Sequence, residues 1–126
     1  MDQTVSTLSP GKIDSYRKAL RSRQKLTGEA VGIRLQRAWE VTMRAASILK
    51  QDFGVKKVRV FGSVTQPRLF HARSDVDLAV WGLAEHDYFR AVGILQGLDA
   101  SIGVDVILAE DASPQLAKAI ENGQDL

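Results

Sequence analysis

The chain has 126 residues, 44 % apolar and 25 % charged, which suits one soluble globular domain with one hydrophobic core. It has no cysteine, so disulfides and thiolate metal sites are excluded, and no apolar run approaches the roughly 20 residues that span a bilayer. The net charge of +2 conceals a division: residues 1–60 carry thirteen Lys/Arg against five Asp/Glu, and residues 61–126 carry four against ten. A basic half of this kind is either the solvated face of an amphipathic helical region or an attractor for a phosphate-bearing ligand or an acidic partner. The acidic half is the expected home of a cation site. No basic stripe interleaved with aromatics accompanies the charge, so direct nucleic-acid binding is not expected. Met1-Asp2-Gln3-Thr4 lacks the basic-then-apolar pattern of a secretory signal, and the cytoplasm is the expected compartment.

Residues 1–8 are polar and expected to fray. Ser9-Pro10 reads as N-cap and first helical position, opening a helix over about 10–24 whose face is basic through Lys12, Arg17, Lys18, Arg21, Arg23 and Lys25. Thr27-Gly28 reads as a break and a second cap. From there Val31, Leu35, Ala38, Thr42, Ala45, Ala46, Leu49 and Phe53 recur at helical spacing up to Gly54, a plausible stop, with Trp39 and Met43 expected to widen the buried face. After Gly54 the texture changes. Val58-Arg59-Val60-Phe61, residues 76–81 and residues 104–108 read as strands. A helix over about 85–100 separates the last two, with Phe89, Val92, Leu95 and Leu98 as candidate buried positions and Glu85 and His86 at its start. Ser113-Pro114 repeats the cap-plus-proline signal before a short closing helix that ends ahead of Gly123. The order predicts an α/β (α+β) fold with a small mixed sheet of about three or four strands and N-terminal helices packed on it. Residues 1–54 would form the helical part and residues 55–126 the sheet-containing core of one domain.

The chemistry concentrates in residues 61–78. Side chains two apart on a strand share a face, so Asp75 and Asp77 are expected to point the same way. Paired carboxylates repel unless a cation lies between them. Mg²⁺ suits one or two carboxylates with water and phosphate oxygens, and two such ions about 3.5–4 Å apart could hold both oxygens of a phosphoryl displacement. Asp77 precedes Leu78-Ala79-Val80-Trp81, where an unpaired carboxylate would be costly. Gly62-Ser63 directly follows the first strand, and its free N–H groups and hydroxyl could bind a triphosphate tail. Asp105 stands alone in an apolar strand; beside Asp77 it would complete the metal site or accept the proton of an attacking hydroxyl. His71 reads as a loop residue.

This stretch resembles the DNA polymerase β-like nucleotidyltransferase superfamily, and more narrowly the minimal nucleotidyltransferase (MNT) antitoxins of HEPN/MNT toxin–antitoxin systems. The family pattern is a strand, Gly-Ser, a loop of about ten residues, Asp-x-Asp, and a later third carboxylate. Gly62-Ser63, Asp75-Val76-Asp77 and Asp105 match it in order. The resemblance implies catalysis and metal binding by Asp75, Asp77 and Asp105, and nucleotide contacts by Gly62, Ser63 and Ser74. It further implies Mg²⁺ ions as cofactor and AMP transfer from ATP to a hydroxyl, with a tyrosine of a cognate HEPN toxin as acceptor. The chain departs from the family's small, basic, Gly-rich turn after Gly-Ser: Val64-Thr65-Gln66-Pro67-Arg68-Leu69-Phe70-His71 stands there, and Arg68 or Arg73 would supply the phosphate-facing charge. Two other readings remain open at this point: a binding module of the same fold that inhibits a partner by contact alone, and an aminoglycoside-type transferase acting on a small molecule.

Overall fold

The structure is a computed structural model that describes residues 10–126; the polar segment 1–8 and the cap expected at Ser9 lie outside the described residues. Helix α1 (Pro10–Asp52) runs unbroken for 43 residues. The interruption expected at Thr27-Gly28 does not occur. Gly28, like Gly32 one turn later, lowers helix propensity by about 1 kcal/mol, and the good helix formers Gln24, Lys25, Leu26, Glu29 and Ala30 around it carry the helix through. Ala38, Val41, Thr42, Ala45 and Leu49 form the buried stripe, and Trp39 packs at its margin. Met43 lies on the outer face at 55 % exposure, because one residue past Thr42 is about 100° round the helix. Gly54, at φ +64°, takes the left-handed conformation that ends the helix and turns the chain into the sheet.

The sheet has four strands in the order β3-β2-β1-β4. Strand β1 (Lys57–Phe61) pairs antiparallel with β2 (Val76–Trp81), and β2 pairs parallel with β3 (Val104–Leu108) across the crossover helix α2 (Tyr88–Gln96). Helix α2 is shorter than the expected 85–100, since Glu85–Asp87 form a separate 3-10 turn and Gly97 caps its end. Its Ala91 and Leu95 are buried, whereas Phe89, expected in the core, is 86 % exposed. The reason is angular: Tyr88, Ala91, Val92 and Leu95 make the stripe facing the sheet, and Phe89 projects outside it. Helix α3 (Pro114–Glu121) starts as the sequence predicts, with the Ser113 hydroxyl accepting the Leu116 N–H at 3.2 Å. Strand β4 (Gln124–Asp125), which the sequence did not signal, pairs antiparallel with β1.

Alternation divides the sheet into two faces. Val58, Val60, Val76, Leu78, Val80, Val104 and Val106 point into the core beneath α1 and α2. Phe61, Ala79 and Ile107 point to the other face, where Leu116 and Ile120 of α3 cover only part of it. Strand β3 is an edge, and its outward groups are capped by side chains. The Gln96 carboxamide brackets Val104, donating to its carbonyl and accepting its N–H, and the Tyr88 hydroxyl donates to the Val106 carbonyl at 2.9 Å. No helix among the described residues is long and apolar enough to cross a membrane.

The continuity of α1 is open to a simple check. A Cβ at Gly28 would meet nothing within 4 Å, so Gly28→Ala should strengthen the helix by roughly 0.5–1 kcal/mol and raise the far-ultraviolet circular dichroism signal at 222 nm. A loss of helicity would place a break at this residue after all.

Candidate active site

The partly open face of the sheet carries the acids. The register pairs Asp77 with Asp105 across the parallel β2–β3 ladder and with Phe61 across β1, which puts the two carboxylates side by side on one face. Asp77 is half-buried and Asp105 exposed. Burial, then the charge of Asp105 and a hydrogen-bonding interaction with it, and last the charge of Asp75, push the Asp77 carboxyl up to about 6.

Immediately after β1, Gly62 adopts φ +79° and opens a 3-10 turn (Gly62–Thr65). A Cβ at Gly62 would lie 2.6 Å from Asp77 Oδ2, so glycine is required both by the backbone conformation and by the closeness of the carboxylate. The turn is held by the Thr65 hydroxyl donating to the Gly62 carbonyl at 2.8 Å and by buried Val64. Ser63, the second residue of the turn, is half-buried.

Asp75 is not on the strand. It ends the loop before β2, and its carboxylate is already engaged: Oδ1 accepts the Gly103 N–H at 2.9 Å and the Arg34 guanidinium at 3.3 Å. Gly103 makes this possible, since a Cβ there would lie 3.0 Å from Asp75 Oδ2. Arg34 also donates twice to the Ser74 carbonyl, at 3.1 and 2.9 Å, and so clamps the loop to α1. Among the described residues no three acidic or imidazole groups form a ready-made metal cluster. Two hard oxygen donors, Asp77 and Asp105, adjoin; Asp75 approaches from the loop and is tied to Arg34.

The remaining expected site residues fall as follows. Ser74 is buried, and its hydroxyl accepts the His71 N–H at 2.9 Å, closing the 71–74 turn. The His71 ring accepts the Arg73 N–H at 3.1 Å, in keeping with a loop residue. Arg68 and Arg73 are exposed. Sequence reasoning missed Arg34, Gly103 and Gln96. Arg34 is one of many arginines in a basic helix, and only the tertiary docking of α1 singles it out.

Two predictions follow from Asp77. Because the folded carboxyl holds its proton more tightly than the unfolded one, this group favours the fold below about pH 4, and that contribution is lost as the pH rises through 6. After discounting for the half-exposed setting, metal-free Asp77→Asn should be more stable than the parent by about 1 kcal/mol at pH 8 and equal to it near pH 4, read by urea unfolding in chelator. A difference that does not vary with pH would contradict the crowding of the acids. Gly62→Ala should cost about 1–3 kcal/mol in the same assay, through its positive φ and the collision with Asp77.

A family model described as "Polymerase beta, Nucleotidyltransferase" matches residues 44–126, more than half of the chain. Searches of curated proteins and of solved structures give no significant match. The matched span holds the whole sheet, the Gly62-Ser63 turn and all three aspartates, and the four-stranded mixed sheet with its helices is consistent with that family's fold. The chain therefore belongs to the polymerase β nucleotidyltransferase family.

Proposed function

We propose that this protein is a metal-dependent nucleotidyltransferase that moves AMP from ATP onto a hydroxyl, that the acceptor is a tyrosine of a HEPN-type toxin, and that the transfer makes the protein an antitoxin. The observation that carries the catalytic part is the pairing of Asp77 with Asp105 across β2–β3, directly against the Gly62-Ser63 turn. The antitoxin role and the tyrosine acceptor rest on the resemblance of Gly62-Ser63, Asp75-Val76-Asp77 and Asp105 to the minimal nucleotidyltransferases.

Members of the family typically use a nucleotide and a divalent metal, and the donor set here fits one. Asp77 and Asp105 are hard oxygen donors whose repulsion a cation relieves, and the missing Cβ of Gly62 leaves room at Asp77 Oδ2. A divalent ion held by these acids, with Asp75 as a further donor, supplies charge neutralisation at the phosphate oxygens. The chain's own groups do the rest. The Gly62-Ser63 backbone and the Ser63 hydroxyl bind the triphosphate. Asp105, the exposed member of the pair, accepts the proton of the acceptor hydroxyl. The acceptor oxygen bonds to the α-phosphorus as the bond to the bridging oxygen breaks, and pyrophosphate leaves in line.

One observation favours a second reading, neutralisation by contact alone: Arg34 occupies Asp75, and the three acids are not drawn together. A single experiment separates them. Intact mass is measured on a HEPN-domain protein encoded beside this gene after incubation with this protein, ATP and Mg²⁺. The catalytic reading predicts a gain of one or more AMP units, abolished by chelator and reduced about 10²-fold or more in rate by Asp77→Asn. A tight complex that inhibits the toxin with no mass gain supports contact; no complex and no gain removes the antitoxin assignment.

A further inference from the structure

A cleft leads away from the carboxylates along the open edge of β3. Its near part, about 390 Å³, is lined by Asp77, Asp105, Phe61 and Gln96. Its far part, about 380 Å³, is lined by Glu85, Phe89, Leu108 and Asp111. The two share Tyr88, Val106, Ile107 and Leu116, so they form one groove between α2 and α3. From Asp105 to Leu108 the floor runs roughly 10 Å, at about 3.3 Å per strand residue, the reach of three or four extended residues.

Resting on the nucleotidyl-transfer reading above, we infer that this groove receives the acceptor, and that the acceptor is a polypeptide segment carrying apolar side chains flanked by lysine or arginine. Three observations carry the inference. The first is direction. In an in-line displacement the attacking oxygen enters opposite the departing pyrophosphate. With the triphosphate at Gly62-Ser63, the far side of the Asp77–Asp105 pair is where the groove begins. The second is charge. Asp77, Asp105, Glu85 and Asp111 line the groove, and no lysine or arginine among the described residues does. With Asp77 and Asp105 facing the cation, Glu85 and Asp111 still leave the far part of the groove negative, which disfavours a polyphosphate backbone and attracts cationic side chains. The third is the floor. Ile107 and Leu116 are its apolar side chains on the open face, and Phe89 stands on the rim at 86 % exposure, edge-to-face with Tyr88 at 5.5 Å between ring centroids. The charge would draw a polycationic aminoglycoside as well, but that polar ligand gains little from an apolar surface, whereas leucine, tyrosine or phenylalanine side chains of a peptide do.

The edge itself favours side-chain docking over strand addition. Val104 already has both outward groups taken by Gln96, and the outward carbonyl of Val106 is taken by Tyr88. The incoming segment is therefore held by its side chains and its charge, and affinity should fall with added salt.

The test uses a fluorescein-labelled peptide with a central tyrosine, a leucine on either side and a lysine at each end, and a twin with glutamates in place of the lysines. Fluorescence anisotropy on the full chain, without ATP, should show the basic peptide binding at least about tenfold tighter than the acidic one. Phe89→Ala should weaken the basic peptide about tenfold, and because Phe89 is exposed its truncation leaves the core untouched. Glu85→Lys with Asp111→Lys should reverse the preference between the twins. Equal binding of the twins, no binding of either, or tighter binding of an oligoadenylate would overturn the proposal. So would a fall in ATP affinity with Phe89→Ala, which would give the groove to the nucleobase. If the basic peptide binds as stated but is never labelled from [α-³²P]ATP and Mg²⁺, the groove stands and the catalytic reading falls.

Discussion

Two negative side chains rise from backbone positions fixed one strand spacing apart, and the repulsion between Asp77 and Asp105 organises the site. The register that causes it is fixed from the opposite face. Val76, Leu78 and Val80 of β2 and Val104 and Val106 of β3 are buried under α1 and α2. Slipping either strand by one residue would expose that whole set, so the core cannot relax to relieve the acids. Stability given up at the carboxylates is supplied by apolar burial on the other side of the same strands, and the cost of the pair is recovered when positive charge arrives.

Around this pair the structure sorts its charges. On the loop side, Arg34 reaches from α1 to Ser74 and Asp75, fixing the segment that carries the third acid. On the β3 side the groove is acidic and apolar. A phosphate-rich ligand is repelled by the acidic groove, whereas on the loop side the charge of Asp75 is offset by Arg34. The match to the nucleotidyltransferase family begins at residue 44, so Arg34 lies in a part of α1 that the family model does not cover.

How much of this was legible in the sequence depended on the kind of signal each residue carries. Gly62-Ser63, Asp77 and Asp105 were readable because each breaks a local rule: a glycine where a strand ends, and an acid within an apolar run. The strands β1 to β3 followed from short β-branched, aromatic and apolar runs, and the Ser113 cap from capping chemistry. The unbroken α1 was not readable, because Gly28 has the same composition whether it breaks a helix or rides inside one, and only the propensity of its neighbours decides. Phe89 was assigned to the core on hydrophobicity, while its angle on α2 puts it in water. Strand β4 is two polar residues recruited by the exposed edge of β1, with no pattern of their own. Asp75 was read as a strand partner of Asp77, but the strand starts one residue later, and Gly103 and Arg34, both distant in sequence, set its direction.

The central claim, that Asp77 and Asp105 form a shared seat for a divalent cation, is tested most directly by titrating Mn²⁺ into the protein without nucleotide and following free ion by electron paramagnetic resonance. Saturable binding that weakens at least about tenfold in both Asp77→Asn and Asp105→Asn is the predicted result. Mn²⁺ uptake indifferent to both substitutions would mean that the two acids share no ion.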